Sequence, residues 1–379
     1  MVAIDSYAGG DGRLSPLSTP SATRAVLEAH GIGTKYTLGQ NFLVNDDVLK
    51  KIVALAEVGE DDRILEVGPG IGTLTIALLK HAAGVVAIER DPDLPAVLAD
   101  TLHPWREKFA LIEKDALDVT RDDIVAAMVE IGGDAGYPDR ASSAANETAQ
   151  WAVSQSEDCL SESRYRVAVP QEELRPSLPS KLVANLPYAV AATVVLDYFE
   201  SFPFLDSATI MVQKEVADRM VAAVGTKNYG AYTVKLGLYA EPVGRFAVGP
   251  GNFFPPPRVD SAVIRLNRRV PLMADGAPAS PEVIAAAALM ADAAFTNRRK
   301  TIANSCKTYF SGRGPISLGA GPSAQEGAPG IVLPDGAAIA ERLAAIFDAA
   351  TIDPRRRGET LTQQEFLALG AALVKVTAA

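Results

Sequence analysis

The sequence predicts an α/β fold, in which an open sheet of parallel strands is followed by a small helical domain. Short apolar runs that start at Arg63, Val85 and Ala110 alternate with helical segments, as parallel sheets require. The first run ends in a glycine-rich turn, and after Pro271 the apolar spacing becomes helical. These three observations set the fold class.

The N-terminal part of the chain leads into the sheet. Residues 1–30 are expected to form a flexible segment, because residues 1–20 are rich in glycine, serine and proline. A short amphipathic helix is predicted for residues 44–56, with Asn45 or Asp46 as its cap.

Two irregular segments interrupt the rest of the chain. Residues 131–178 read as an acidic insertion with a short strand near 165–169, and residues 311–337 read as a flexible loop. Further strands are predicted from Lys181, Ala208 and Val259, and further helices from Pro281, Ala338 and Thr362. We therefore predict a sheet domain over residues 31–270 and a helical domain over residues 271–379.

The composition argues against several classes of protein. No apolar stretch reaches the roughly 18–20 residues needed to cross a bilayer, and the N-terminus lacks the features of a secretory signal. Only Cys159 and Cys306 occur, which argues against a disulfide framework and favours a reducing cytoplasm. The histidines lack metal-ligand spacing, so no metal site is expected. A monomer is the simplest expectation.

The charge is unevenly distributed along the chain. The net charge of −10 argues at first against a nucleic-acid partner, but residues 214–310 carry a net charge of +6. This basic region permits a polyanion-binding face, although two ordinarily charged surfaces would give the same pattern. Arg298, Arg299 and Lys300 are its clearest phosphate-binding candidates, with a solvated helix face as the other interpretation.

The stretch E-V-G-P-G-I-G-T-L-T from Glu66 lies at a strand-to-helix turn and predicts a ligand site. Glycines let a backbone approach a ligand closely and adopt positive φ. The spacing from Gly68 is G-x-G-x-G, and Thr73 stands where the dinucleotide fingerprint has its third glycine. The turn therefore disfavours a dehydrogenase and fits a nucleoside ligand without a phosphate, such as S-adenosylmethionine.

Two acidic residues at neighbouring strand ends strengthen this prediction. Glu89 follows about 20 residues later, where a carboxylate can accept both ribose hydroxyls, and Asp115 can accept a hydrogen bond from the adenine amine. Either alone is also explained as a solvent-facing charge. Three successive strand ends with ligand-type groups favour the cofactor site.

The stretch Asn185-Leu186-Pro187-Tyr188 follows the fourth strand and predicts a reaction corner. The Asn185 side-chain oxygen and the Leu186 carbonyl can accept hydrogen bonds from an exocyclic amine, which would favour a pyramidal nitrogen. Pro187 stiffens the turn, and Tyr188 offers a face on which a base can stack. An ordinary Asx-type turn is the other interpretation.

A second aromatic pair, Phe253 and Phe254, precedes three prolines that hold the chain extended. Phe253 is the candidate for the other face of the base, and a hydrophobic anchor is the alternative. A base held between two rings must leave its helix or come from an unpaired loop.

With these motifs the chain resembles the KsgA/RsmA family of ribosomal RNA adenine N6,N6-dimethyltransferases. The matching stretches are L-G-Q-N-F-L at Leu38, E-V-G-P-G-I-G-T-L-T at Glu66, A-N-L-P-Y at Ala184, V-Q-K-E-V-A-D-R-M at Val212, F-F-P-P-P-R-V-D-S-A-V at Phe253 and F-T-N-R-R-K-T-I-A-N-S at Phe295. The resemblance implies a class I, Rossmann-like methyltransferase domain with a small helical C-terminal domain. It also implies S-adenosylmethionine as methyl donor and two adjacent adenosines of 16S rRNA, in a 3′ hairpin loop of the 30S or pre-30S particle, as substrate.

The resemblance also assigns roles to residues. It places Asn41, Leu43, Gly68, Glu89 and Asp115 with Ala116 around the cofactor, and Gln40 where the site closes. It implies that Asn185, with Leu186 beside it, contacts both the cofactor and the target base. It also implies that the target base stacks between Tyr188 and Phe253.

The sequence leaves alternatives open. The segments 131–178 and 311–337 are longer than the family leads us to expect, and the overall acidity is unusual for an RNA enzyme. A 23S rRNA methyltransferase that confers macrolide resistance has the same fold, although Leu186 and the three-proline segment favour the 16S enzyme. An assembly factor for the 30S subunit, with methylation as its release step, is the third hypothesis.

Overall fold

The structure is a computed structural model that describes residues 12–33, 41–132, 178–313, 316–317, 330–331 and 337–378. It confirms the predicted α/β class. The strands are β1 (Phe42–Leu43), β2 (Arg63–Val67), β3 (Gly84–Glu89), β4 (Phe109–Glu113), β5 (Lys181–Asn185), β6 (Ser207–Gln213), β7 (Ala240–Val248), β8 (Phe253–Phe254), β9 (Ser261–Arg268), β10 (Ile316–Ser317) and β11 (Gly330–Ile331). The helices are α1 (Pro20–Ala29), α2 (Asp46–Ala56), α3 (Thr73–Leu79), α4 (Leu94–Thr101), α5 (Arg121–Glu130), α6 (Ala191–Ser201), α7 (Lys214–Met220), α8 (Ala231–Gly237), α9 (Pro281–Phe295), α10 (Ile302–Phe310), α11 (Ala337–Ala349) and α12 (Gln363–Ala378). Short 3₁₀ turns cover His103–Lys108, Ala116–Asp118, Pro250–Asn252 and Gly358–Thr360.

Seven strands form the main sheet in the order β4-β3-β2-β5-β6-β9-β7. The first five are parallel, and β9 lies antiparallel between β6 and β7. The edge strand β7 was not predicted from sequence, because most of its side chains are exposed and its pairing shifts between Pro242 and Gly244. Strands β3 and β4 are added on one side of β2, and β5 and β6 are added on its other side. This reversal of strand order opens a crevice at the carboxyl ends of the parallel strands.

The sheet is buried on both faces. Ile64 and Val85 contribute to a hydrophobic cluster that includes side chains of α1 to α4, whereas Leu65 and Val86 contribute to a cluster that includes α5 and α6. This alternation along each strand gives a three-layer arrangement and explains the continuous apolar runs in the sequence.

The expectation that residues 1–30 are flexible is wrong for the described part of that segment. Thr19 accepts a hydrogen bond from the Ala22 N–H, and Pro20 occupies the first turn of α1. Val26 and Leu27 are buried in the same cluster as α2 and α3. The missed signal was a threonine before a proline, which is a typical helix start.

The segment around Phe253 is a strand rather than a loop. Leu43 pairs with Phe253 and Phe42 with Phe254 in an antiparallel ladder, and the Val44 N–H donates to the Asn252 carbonyl over 2.8 Å. This two-stranded ladder fastens the segment that enters α2 to the segment that precedes β9. Asn45 caps α2 as predicted, with its side chain accepting from the Asp47 N–H.

Helices α9 to α12 share a hydrophobic cluster of their own, to which Tyr229 and Val234 near α8 also contribute. The domain boundary at residue 270 stays a prediction. In the predicted loop 311–337, β10 and β11 form a short antiparallel pair, whereas the predicted strand near 165–169 lies outside the described residues. Within the described ranges, no helix has the length and apolarity needed to cross a membrane.

Candidate active site

A cavity of about 520 Å³ lies at the carboxyl ends of the central parallel strands. It is lined by residues that end or follow β2, β3, β4 and β5, where open α/β sheets bind their ligands. The lining contains Asn41, Leu43, Gly68, Glu89, Asp115, Ala116, Asn185, Leu186 and Tyr188. The structure thus brings together the cofactor residues predicted from sequence and three of the four predicted catalytic residues. Their roles stay predictions.

The backbone conformation of the turn between β2 and α3 explains the spacing of its glycines. Gly68, Gly70 and Gly72 all have positive φ, at 70°, 60° and 89°. A side chain at Gly70 would lie 3.2 Å from the Phe42 ring, and one at Gly72 would lie 3.1 Å from Leu102. All three positions therefore favour glycine for its conformation, and Gly70 and Gly72 also for space, which accounts for the G-x-G-x-G pattern.

Glu89 ends β3 beside this turn and is largely buried. Its Oε1 atom accepts the N–H groups of Arg90 and Asp91 over 2.9 and 2.8 Å. Burial raises the pKa of the Glu89 carboxyl. The two backbone donors fix its orientation, as a residue that accepts ribose hydroxyls requires.

Asp115 follows β4, at the cap of the turn that contains Ala116. Arg90 donates to Asp115 Oδ2 over 2.9 Å, and the Leu117 N–H donates to Oδ1 over 3.1 Å. The Arg90 hydrogen bond lowers the pKa of Asp115. Asp115 therefore stays an ionised acceptor, and Arg90 links the predicted ribose and adenine positions.

Glu66 is a pocket residue that sequence analysis did not select. Its side chain is 1% exposed, it lines the cavity, and its Oε2 atom has no hydrogen-bond partner among the described residues. Thr73 also lines the cavity, and its buried hydroxyl has no hydrogen-bond partner in the described part of the chain. Burial, with a smaller effect from Glu89, raises the pKa of Glu66 to about 8. The missed signal was a carboxylate inside the apolar strand R-I-L-E-V, which is costly to bury without a partner.

The reaction corner is held in place by backbone and side-chain hydrogen bonds. Asn185 Nδ2 donates to the Asn41 carbonyl over 3.2 Å, which leaves Oδ1 as the acceptor of the amide. The Leu186 N–H donates to the Met211 carbonyl over 3.1 Å, so the corner is tied to β6. Pro187 packs against the glycine turn, with its Cδ atom 3.4 Å from a Cβ built on Gly68. The corner and the cofactor cradle are therefore in direct contact.

Tyr188 is half-buried at the cavity, and its hydroxyl lies 2.6 Å from Ser261 Oγ. Ser261 is the first residue of β9 and is fully buried. Sequence analysis did not select Ser261, because the contact joins residues 73 positions apart.

Phe253, the fourth predicted catalytic residue, is not at the cavity. The β1–β8 ladder turns its ring into the hydrophobic cluster with Leu43, and it is 4% exposed. Phe254 is half-buried, with the Arg24 guanidinium 5.3 Å from its ring centre. In this conformation Phe253 is a hydrophobic anchor, which was the alternative interpretation, so the predicted stacking requires the ring to move.

The basic run at residues 298–300, between α9 and α10, is only partly available for binding phosphate. Arg298 donates to Glu359 over 2.8 Å and to the Thr226 carbonyl over 2.9 Å, so it holds loops together. Arg299 and Lys300 are exposed. Arg299 and Lys300 therefore remain the predicted phosphate-binding residues of this run, because their side chains are accessible.

The cavity fits S-adenosylmethionine on its charges and its unpartnered atoms. Its lining holds four carboxyl groups, from Glu66, Glu89, Asp91 and Asp115, against two basic side chains. A cationic ligand with amino and hydroxyl donors satisfies such a lining, whereas a pyrophosphate would add negative charge to it. Within the described residues no cluster of potential metal ligands is found.

The sheet order, the glycine cradle and the acidic crevice define a Rossmann-like methyltransferase that uses S-adenosylmethionine. Comparison with known proteins then specifies the family. The family model described as "Ribosomal RNA adenine dimethylase" matches residues 33–314. The chain belongs to this family, which confirms the resemblance found in its motifs.

Full-length relatives agree with the family model. The protein of Geobacillus sp. (strain WCH70) named ribosomal RNA small subunit methyltransferase A is 32% identical over 360 residues, which cover 95% of this chain and 98% of the relative. A protein of the same name from Enterococcus faecalis is 33% identical, with 95% and 97% covered. The Staphylococcus aureus (strain Newman) protein of that name is 31% identical, with 93% and 94% covered.

Solved structures support the fold. A dimethyladenosine transferase from Plasmodium falciparum matches with a TM-score of 0.56 and 19% identity, over 88% of this chain and 98% of that one. The 23S rRNA methyltransferase ErmE matches with a TM-score of 0.50 and 20% identity, over 88% and 100%. Because both kinds of enzyme share the fold, it does not choose between their substrates.

Glu66 predicts that cofactor binding depends on pH. A pKa of about 8 keeps the carboxyl protonated at pH 7, and a cationic ligand favours its ionised form. Affinity for S-adenosylmethionine should therefore rise from pH 6.5 to 9, and binding near pH 7 should release protons. Titration calorimetry in two buffers of different ionisation enthalpy measures this release.

Glu66→Gln is the matched variant for this prediction. This variant should bind S-adenosylmethionine more weakly, and its binding should release no protons from position 66. Without cofactor, the native Glu66 carboxyl binds its proton more tightly than the unfolded one, so the contribution of Glu66 to wild-type stability falls as pH rises from about 4.5 to about 8. The variant should therefore exceed the wild type in melting temperature by a margin that grows over this range. Equal proton release from both proteins would contradict the prediction.

Proposed function

We propose that this protein transfers two methyl groups to N6 of each of two adjacent adenosines in the 3′-terminal hairpin loop of 16S rRNA. Its substrate is the 30S or pre-30S particle, on which it acts as a monomer in the cytoplasm. The observation that carries this proposal is the reaction corner, where Asn41 orients the Asn185 amide beside the cofactor crevice. The small-subunit methyltransferase names of its relatives support the choice of 16S rRNA.

The residues of the corner account for the chemistry. When bound, S-adenosylmethionine supplies an electrophilic methyl group on a positively charged sulfur. Asn185 Oδ1 and the Leu186 carbonyl each accept one N–H of the adenine amine, which draws the nitrogen toward a pyramidal shape. No strong base is needed, because the methylated nitrogen loses its proton readily.

The same two acceptors suit a second transfer. After one methylation the amine keeps a single N–H, which one acceptor holds while the methyl group takes the other position. Tyr188 supplies the face on which the base stacks, so the ring plane is kept through both steps. The corner therefore fits an enzyme that makes the dimethylated product.

The test uses purified protein and radiolabelled S-adenosylmethionine, with unmethylated 30S subunits in one reaction and 50S subunits in another. The labelled RNA is digested and its nucleosides are identified. We expect N6,N6-dimethyladenosine from 30S subunits alone. Label in 50S subunits would move the protein to the resistance-type enzymes, and binding to 30S without label would favour an assembly factor.

Arg299 and Lys300 lead to a prediction about RNA binding. Removing one basic side chain that neutralises a phosphate lowers the slope of log affinity against log salt by about 1, so Arg299→Ala/Lys300→Ala should weaken 30S binding and reduce the slope by about 2. Affinity for S-adenosylhomocysteine should not change. Filter binding at several salt concentrations measures the affinity for 30S subunits and its dependence on salt.

The control for this prediction is Arg106→Ala/Arg121→Ala, which removes the same charge from two exposed positions elsewhere in the fold. It should keep the wild-type slope. An equal decrease of the salt slope in both double variants would show that overall charge causes the effect. It would contradict the assignment of Arg299 and Lys300 to the RNA-binding surface.

A further inference from the structure

One hydrogen bond joins the reaction corner to β9, a strand that contains none of the predicted catalytic residues. The Tyr188 hydroxyl lies 2.6 Å from Ser261 Oγ, at the start of β9. Burial raises the pKa of Tyr188, so its phenol stays protonated and the contact joins two neutral hydroxyl groups. The bond connects the end of the parallel part of the sheet with its antiparallel part.

The position of Ser261 is unfavourable for a serine unless its hydroxyl has a partner. The side chain is 0% exposed, and the residue pairs with Gln213 on β6 and with Val248 on β7. A buried hydroxyl costs free energy when it is unpaired, and small polar residues gain little from a strand position between two neighbours. Among the described residues, Tyr188 is the partner that the Ser261 side chain has.

Tyr188 needs a second point of attachment to hold its ring in one plane. Its backbone is fixed by the Leu186 N–H bond to Met211 and by the Val190 N–H bond to Pro187. These bonds leave rotation about the side-chain torsions, for which an aromatic ring has several wells. The hydroxyl contact removes that freedom, because it fixes the far end of the ring against a strand of the sheet.

We propose that Ser261 is a positioning residue that acts through Tyr188, and that it fixes the plane of the ring on which the target adenine stacks. This inference rests on the proposed function. It extends the reaction site to β9, and it gives the last residue of the F-F-P-P-P-R-V-D-S segment a role in the chemistry. Orientation of a bound reactant contributes to turnover without a contact to the reacting atoms.

Three variants test the inference with unmethylated 30S subunits. Ser261→Ala and Tyr188→Phe each remove the hydrogen bond and keep the stacking face, so each should lower kcat about 10-fold, as the removal of one orienting interaction does. The KM for 30S subunits and the affinity for S-adenosylhomocysteine should stay at wild-type values. The double variant should also fall about 10-fold in kcat, because both changes remove one shared interaction, whereas independent effects would multiply to about 100-fold.

Ser207→Ala is the matched control. Ser207 is also buried and also begins a strand, β6, where it pairs with Asn267 at the other end of β9. It should keep wild-type kcat. Multiplying decreases in the double variant, or a wild-type kcat for Tyr188→Phe, would overturn the inference. Wild-type protein that forms no dimethyladenosine would instead overturn the proposed function.

Discussion

Replacing Asn185 with alanine is expected to lower kcat for methyl transfer about 10²- to 10³-fold, the decrease that follows removal of one preorganised polar group from an active site. The structure gives this residue a single accepting atom, because Nδ2 donates to the Asn41 carbonyl and Oδ1 is left for the target amine. Without Oδ1 the adenine amine keeps only the Leu186 carbonyl. Turnover assays with 30S subunits measure the effect, and sedimentation measures binding.

The control for this prediction is Asn228→Ala, which removes the same amide from an exposed position. It should keep wild-type turnover. We expect Asn185→Ala to retain 30S binding, since the exposed basic residues Arg299 and Lys300 are unchanged. Turnover of Asn185→Ala within about 10-fold of wild type would contradict the assigned role, because removing a preorganised acceptor costs more than that.

Replacing Gly68 with alanine should lower the affinity for S-adenosylhomocysteine by roughly 10-fold or more. Gly68 has φ of +70°, where a Cβ atom costs about 1–2 kcal/mol. The added methyl would lie 3.4 Å from Pro187 Cδ and 3.9 Å from the Asn185 carbonyl oxygen. Relaxing the turn would therefore move the cradle and the reaction corner together. Titration calorimetry measures the affinity.

Gly276→Ala separates backbone strain from the effect on the site. Gly276 has φ of +84°, and no atom lies within 4 Å of a Cβ built there. Both variants should lose similar thermal stability, but only Gly68→Ala should lose cofactor affinity. Equal affinity in the two variants would show that the glycine turn is not part of the cofactor site.

The features that sequence predicted well are those encoded locally. Glu89 ends one short apolar strand and Asp115 follows the next, so their place at strand ends is readable from neighbouring residues. The turn glycines are readable because positive φ at alternate positions is a local property. The order of strands and helices then brings these residues to one edge of the sheet.

The features that sequence missed depend on contacts between distant segments. The Tyr188–Ser261 bond and the β1–β8 ladder join residues from far apart in the chain, and the ladder explains why Phe253 is buried. The local sequence suggests that Arg298 is a free cation, whereas the fold pairs it with Glu359. Pairings of this kind arise when the chain folds back on itself, and no local pattern encodes them.

The most direct test of the central claim is to map methylation along 16S rRNA after reaction of unmethylated 30S subunits with the purified protein. Dimethylation of N6 removes both N–H donors of adenine, so reverse transcription stops at a modified base. We predict a stop at the pair of adjacent adenosines of the 3′-terminal hairpin loop, together with N6,N6-dimethyladenosine in the digested RNA. Modification at any other site, or monomethylated product alone, would contradict the claim.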